Sequence, residues 1–156
     1  MLNKLKTIVY LYRKLKLLFF SHQIKIGTNF KCGKNCSISK KNRIIIGNNF
    51  YMGQYCHLAS NLLIGDNVML GPNVAFVGGD HKIDNIDVTI NKSGRDIFKT
   101  SIIEDNVWIG HGCIIIHGVT IKTGSVVAAG SIVTKDVEEN SIVGGNPAKL
   151  IRYRKI

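Results

Sequence analysis

No acidic residue occurs in the first 65 positions of this chain, which hold eleven Lys or Arg. Positions 66–156 carry ten of each sign, so the formal net charge of +11 belongs to the N-terminal end. An anionic partner is to be sought there, against the plainer reading of a solvated basic surface. Proline is nearly absent, two residues against sixteen glycines, so the tight corners of this chain are built without it. Long apolar runs are missing too. Lys4, Lys6, Arg13, Lys14 and Lys16 interrupt the apolar segment 1–22, which falls short of the ~20 residues a bilayer span requires. No small-residue cleavage site follows it, which argues against a secretory signal and for the cytoplasm. Cys32, Cys36, Cys56 and Cys113 show no paired metal spacing beyond one weak zinc half-site at Cys32 and Cys36. They are expected as small buried apolar residues in a reducing compartment, and no metal is expected. The remaining composition, 45% apolar and 20% charged over 156 residues, fits one globular domain.

What is present is a lattice of period six. Ile26, Cys32 and Ile38 begin it; after a two-residue slip come Ile46, Met52, Leu58, Ile64, Leu70 and Phe76; after a long interruption come Ile103, Ile109, Ile115, Ile121, Val127 and Val133. All fifteen positions are apolar. A second lattice runs four residues behind the first, from Phe30 to Val137, and only Asn42 beside the slip departs from its small-or-apolar pattern. Period six belongs neither to an α-helix nor to a sheet meander. It fits a coil of three short strands, about eighteen residues per turn, the known mark of a parallel β-helix. Glycine after the first lattice position, as at Gly27 and Gly53, is expected with asparagine at corners of unusual φ. About five coils fit between residues 26 and 138, a prism roughly 24 Å tall at ~4.8 Å per layer. The architecture is thus all-β, with an N-terminal helix over 1–22, a β-helix domain over 23–152 interrupted by an extruded loop at 77–102, and a short tail at 153–156.

Four segments carry a resemblance: Ile64-Gly65-Asp66-Asn67-Val68, Val107-Trp108-Ile109-Gly110, Ala129 to Asp136, and Gly145-Asn146-Pro147-Ala148-Lys149. They resemble the hexapeptide-repeat acyltransferases, above all the galactoside, maltose, streptogramin and surface-polysaccharide O-acetyltransferases. The resemblance spans residues 24 to 152. It implies a left-handed coil, a homotrimer with active sites between subunits, and acetyl-CoA as the acyl donor.

A polar loop of this size thrown out of a regular prism is usually functional. It opens with Gly78-Gly79-Asp80-His81-Lys82-Ile83-Asp84, where the resembling enzymes place a histidine that acts as general base in a neighbouring subunit's groove. The chemistry suits the residue, because a sugar hydroxyl attacks a thioester well only if a base takes its proton, and imidazole titrates near working pH. Asp80 or Asp84 is expected to orient His81 or meet the acceptor. The resemblance further implies that Gly110, His111, Ala129, Gly130, Thr134 and Lys135 line the pantetheine arm, with the His111 N–H facing the developing oxyanion. Lys149 and Arg152 would meet the CoA phosphates, and Trp108 would stand beside His81. His111 is itself a departure, since relatives usually carry a small residue there. On the acceptor side the family's asparagine and aspartate fall on Gly53 and Asn61, so only Asn61 is carried over, with changed charge. His111 and His117 lie one hexapeptide apart and do not form a metal cluster, and His22 and His57 read as structural or solvated.

The leading expectation is O-acetylation of a sugar in a surface polysaccharide or its precursor. Its rivals are N-acetylation of a nucleotide-linked amino sugar and O-acetylation of a drug of the streptogramin type. Nucleic acid is not expected as a partner, because no recognition helix or exposed aromatic series supports it. Leu2, Leu5, Val9, Tyr12, Leu15 and Phe19 recur at helical spacing among basic residues, with Phe20 extending the apolar end. Residues 1–21 therefore either cap the open end of the prism or meet an anionic membrane.

Overall fold

The computed structural model describes residues 2–18 and 23–155; Phe19, Phe20 and His22 lie outside them, as do the side chains of Leu2 and Leu5. A helix, Leu2–Leu18, precedes a three-sided parallel β-helix whose strands are two to five residues long. The first face stacks Ile24–Ile26, Ile44–Ile46, Leu62–Ile64, Ser101–Ile103 and Thr120–Ile121. On the second face are Lys31–Cys32, Tyr51–Met52, Met69–Leu70, Trp108–Ile109, Val126–Val127 and Ser141–Gly145, and on the third Ser37–Ile38, His57–Leu58, Ala75–Val77, Ile114–Ile116 and Ile132–Val133. This is the left-handed parallel β-helix expected from the repeat and the resemblance, with five complete coils and a sixth begun. The sixth adds Val137, bridged to Ile121, and the strand Ser141–Gly145. Near the C-terminus Ala148–Tyr153, which runs one residue into the expected tail, turns back antiparallel on Ser141–Gly145 and closes the second face.

Register shows how strictly the period is kept. Ile44 pairs with Leu62 and Ile102 with Thr120, both eighteen residues apart. Ile24 pairs with Ile44, twenty apart, where the slip falls. Leu62 pairs with Ser101, thirty-nine apart, so the loop inserts twenty-one residues without disturbing the stack around it.

Inward positions fill the prism. Fourteen of the fifteen lattice residues are buried, and Ile26 at the open end is partly buried against them. The second lattice is buried as well, Asn42 included, except for the half-buried Cys36. The thiols of Cys36, Cys56 and Cys113 donate to the carbonyls of Gly53, Gly71 and Ala128. Burial pushes the Cys32 thiol up to about 11 and raises that of Cys113, which suits inert core residues.

The corners differ from expectation. The glycines that follow the lattice residues have ordinary φ; they are small because the next coil lies against them. A Cβ on Gly110 would stand 2.6 Å from the Ala129 nitrogen, and one on Gly71 2.7 Å from that of His111. The left-handed residues come two positions later. They are Asn29, Asn35, Asn49, Tyr55, Asn67, Asn73 and Asn106 in the earlier coils, then Gly112, Gly118, Gly124 and Gly130. Asparagine tolerates this conformation better than other side-chain-bearing residues, and here it gains a further bond by stacking: Asn29 donates to Asn49 and Asn49 to Asn67, at 3.0 and 3.1 Å.

The helix is tied to the edge strand of the second face. Arg13 donates to the Cys32 carbonyl at 3.0 Å and lies 5.9 Å from the Tyr10 ring, while Lys14 reaches the Gly27 carbonyl. Cations thus make hydrogen bonds that tie the helix to the prism. Val9 is half-buried, but Tyr12 and Leu15 of the expected apolar stripe are exposed. No helix among the described residues is long and apolar enough to cross a membrane.

Candidate active site

The loop leaves the corner between the third and first faces over Gly78 and Gly79. Both have positive φ, and a Cβ there would collide with the rings of His117 and Phe98 respectively. His117 is the anchor of this exit. Its N–H donates to Val77, its Nδ1 accepts from the N–H of Lys99, and its ring meets Phe98 edge-on at 6.4 Å. Sequence reasoning passed over this role, although Lys99 and His117 are eighteen residues apart and the period alone stacks them.

At the loop's neck His81 bridges Arg95 in antiparallel fashion. The Asp96 N–H donates to Asp80, the Lys82 N–H to Gly94, and the Ser93 hydroxyl to Lys82. His81 is half-buried, and its Nδ1 is buried with no hydrogen-bond partner among the described residues. The carboxylates of Asp80 and Asp84 are exposed, and neither bonds to the ring. Asn61 sits at the same corner one coil earlier: its carbonyl accepts from the N–H of Ser101, where the loop returns, and its side-chain oxygen from Arg43.

His111 and Ala129 occupy equivalent places one coil apart, on the corner between the second and third faces. Both are exposed, and neither N–H donates to any group among the described residues. Gly112 and Gly130 beside them have open space where a Cβ would be. The result is a bare double step of backbone with unused donors. Thr134 and Lys135 are exposed after the last strand of the third face.

Trp108 is on the second face, half-exposed, in an outward ladder with Met69 and Val126. With Ile142, Arg152 and Arg154 it lines a cleft of about 480 Å³. Arg152 bonds to the Tyr153 carbonyl, and Arg154 to that of Gly124 at 2.7 Å. Lys149 is exposed but does not line this cleft, so the two expected phosphate contacts diverge. Arg154 was not singled out in the sequence. Within one chain, then, His81 and Asn61 share one corner, His111 and Ala129 another, and Trp108 and Arg152 the second face. No group of three metal-ligating side chains occurs among the described residues.

The bacterial transferase hexapeptide (six repeats) model matches residues 100–135. A hexapeptide-repeat acetyltransferase from Vibrio cholerae is 34% identical over 85% of this chain and 74% of its own, with a TM-score of 0.72. The same protein has been solved in complex with acetyl-CoA, at 29% identity and a TM-score of 0.59, with 94% of this chain and 76% of that chain covered. A maltose O-acetyltransferase from Clostridium difficile is 33% identical over 93% of this chain and 75% of its own, with a TM-score of 0.63. Among curated proteins, the galactoside O-acetyltransferase of Escherichia coli is 42% identical over 57% of this chain. The chain spans less than half the length of such curated relatives, 42% in that case. It belongs to the hexapeptide-repeat acetyltransferase family.

Proposed function

We propose that this chain is an acetyl-CoA-dependent O-acetyltransferase acting on a sugar hydroxyl of a surface polysaccharide or its precursor. It works in the cytoplasm as a homotrimer with sites between subunits. One observation carries the reading: the open corner at His111 and Ala129 and the unanswered imidazole of His81 lie on opposite edges of the third face. Threefold packing that sets the loop of one copy against the open corner of the next joins base and donor groove, and cyclic symmetry repeats that junction three times.

In such a site the acceptor hydroxyl gives its proton to Nε2 of His81 as its oxygen bonds to the thioester carbon. The carbonyl oxygen takes up the negative charge, and the His111 N–H of the neighbouring copy stabilises it. Collapse breaks the carbon–sulfur bond, and the thiolate of CoA takes the proton back from the imidazolium. Gly110 and Gly130 let backbone meet the pantetheine arm, Ala129, Thr134 and Lys135 line it, and Lys149 and Arg152 are assigned to the phosphates, Arg152 from the second-face cleft and Lys149 from outside it. Asp80, Asp84 and Asn61 are assigned to the acceptor side. Trp108 belongs near the site only across the subunit boundary.

His81→Ala is expected to lower kcat about 100-fold or more while acetyl-CoA binding, read by calorimetry, is unchanged. Retention of more than about a tenth of the activity would remove His81 as the base. A panel of sugars, nucleotide-linked amino sugars and streptogramin-type drugs, scored by CoA release, tests the acceptor. Turnover confined to amines would make the chain an N-acetyltransferase, and turnover confined to the drugs a resistance enzyme.

A further inference from the structure

The N-terminal helix is held to the prism by Arg13 and Lys14, and that attachment turns an apolar stripe outward. Ile8, Leu11, Tyr12 and Leu15 follow the i, i+3, i+4, i+7 spacing of one helical face and are 61%, 56%, 65% and 56% exposed. The first coil beneath the helix ends in a rim of cations. Lys25, Lys31, Lys34, Lys41 and Arg43 are all exposed, and no acid occurs before Asp66.

We infer that this end of the molecule is a docking surface for an anionic lipid bilayer, with the stripe seated at the headgroup boundary and the cationic rim against the phosphates. Charge complementarity selects this occupant. A second copy presenting the same end would set cation against cation, with no carboxylate in the first 65 residues to answer either. Nucleic acid would satisfy the cations but offers no apolar surface to four aligned side chains. An interfacial helix couples an apolar face to nearby cations in this way, and an anionic leaflet attracts each of those cations. The inference is independent of the acyl chemistry, since lipid binding and CoA release are read separately.

The experiment is flotation of the full chain with vesicles of phosphatidylcholine, with and without phosphatidylglycerol, at low and high salt. About tenfold or greater enrichment on the anionic vesicles, removed by salt, is expected. The double variant Leu11→Glu, Leu15→Glu should lose that binding while its thermal midpoint, its mass by light scattering and its CoA release match wild type. Absence of binding overturns the inference, as does equal binding to neutral vesicles. Binding that survives the double substitution would reduce it to adsorption of a polycation. A changed mass in the double variant would make the stripe a subunit contact instead.

Discussion

Two corners of one prism are built from the same repeat and treated in opposite ways. Between the first and second faces, the N–H groups exposed by four of the five bends are capped by side chains of adjacent coils, Asp105 being the exception. Thr28 donates to Asn48, Asn48 to Asp66, Asp66 to Asp105 and Thr123 to Glu104, at 2.6 to 2.9 Å. Between the second and third faces the equivalent residues include His111 and Ala129, and their N–H groups are uncapped. A buried or half-buried donor without an acceptor costs stability. The sealed corner avoids that cost along the stack, and the open corner retains donors for something other than protein.

The largest expected effect concerns what both corners share, the core. Ile115→Asp places an unpaired charge at a fully buried position and should leave no cooperative thermal transition, since such burial is very costly.

Next comes conversion of the open corner into a sealed one. Ala129→Asp puts a carboxylate where, by the stacking of Asp66 on Asn48, it would accept the His111 N–H. Stability should hold or rise, whereas kcat should fall by about 100- to 1000-fold, the usual loss when an oxyanion donor is withdrawn. Unchanged turnover would show that the His111 N–H does not serve the reaction.

The reverse change is smaller. Asp66→Ala uncaps the Asn48 N–H and should cost about 1–3 kcal/mol in chemical denaturation, with KM for acetyl-CoA unaltered.

The smallest effect depends on pH. The N–H and hydroxyl of Thr123 hold the Glu104 carboxyl below its ordinary range. A depressed carboxylate contributes stability that is present above its unfolded pKa and lost as pH falls through its folded one. Glu104→Gln should therefore lower the thermal midpoint slightly at neutral pH, a difference that disappears in acid. Glu104 is largely solvent-screened, so a shift beyond a few degrees would point to a further role.

The sequence by itself determined the coil. The side chain of every sixth residue must enter a narrow prism, so the apolar lattice from Cys32 to Val133 could be read from residue order, along with its slip and its loop. The resemblance nominated residues for the candidate site, from His81 to Arg152, one chain position at a time. The sequence could not show why Gly27 or Gly71 is glycine, because the cause is the backbone of another coil, eighteen or more residues away. His117 is a partial case: the period stacks Lys99 on it, but its contacts with Gly78 and Phe98 come from a loop that keeps no period. The outward turn of Leu11 and Leu15 was equally hidden, because an amphipathic pattern does not say which face another element covers; here Arg13 decided it by reaching an edge carbonyl. Only the tertiary structure separated the sealed corner from the open one. Which N–H is left without an acceptor depends on the neighbouring coils in space, and residue order does not record that.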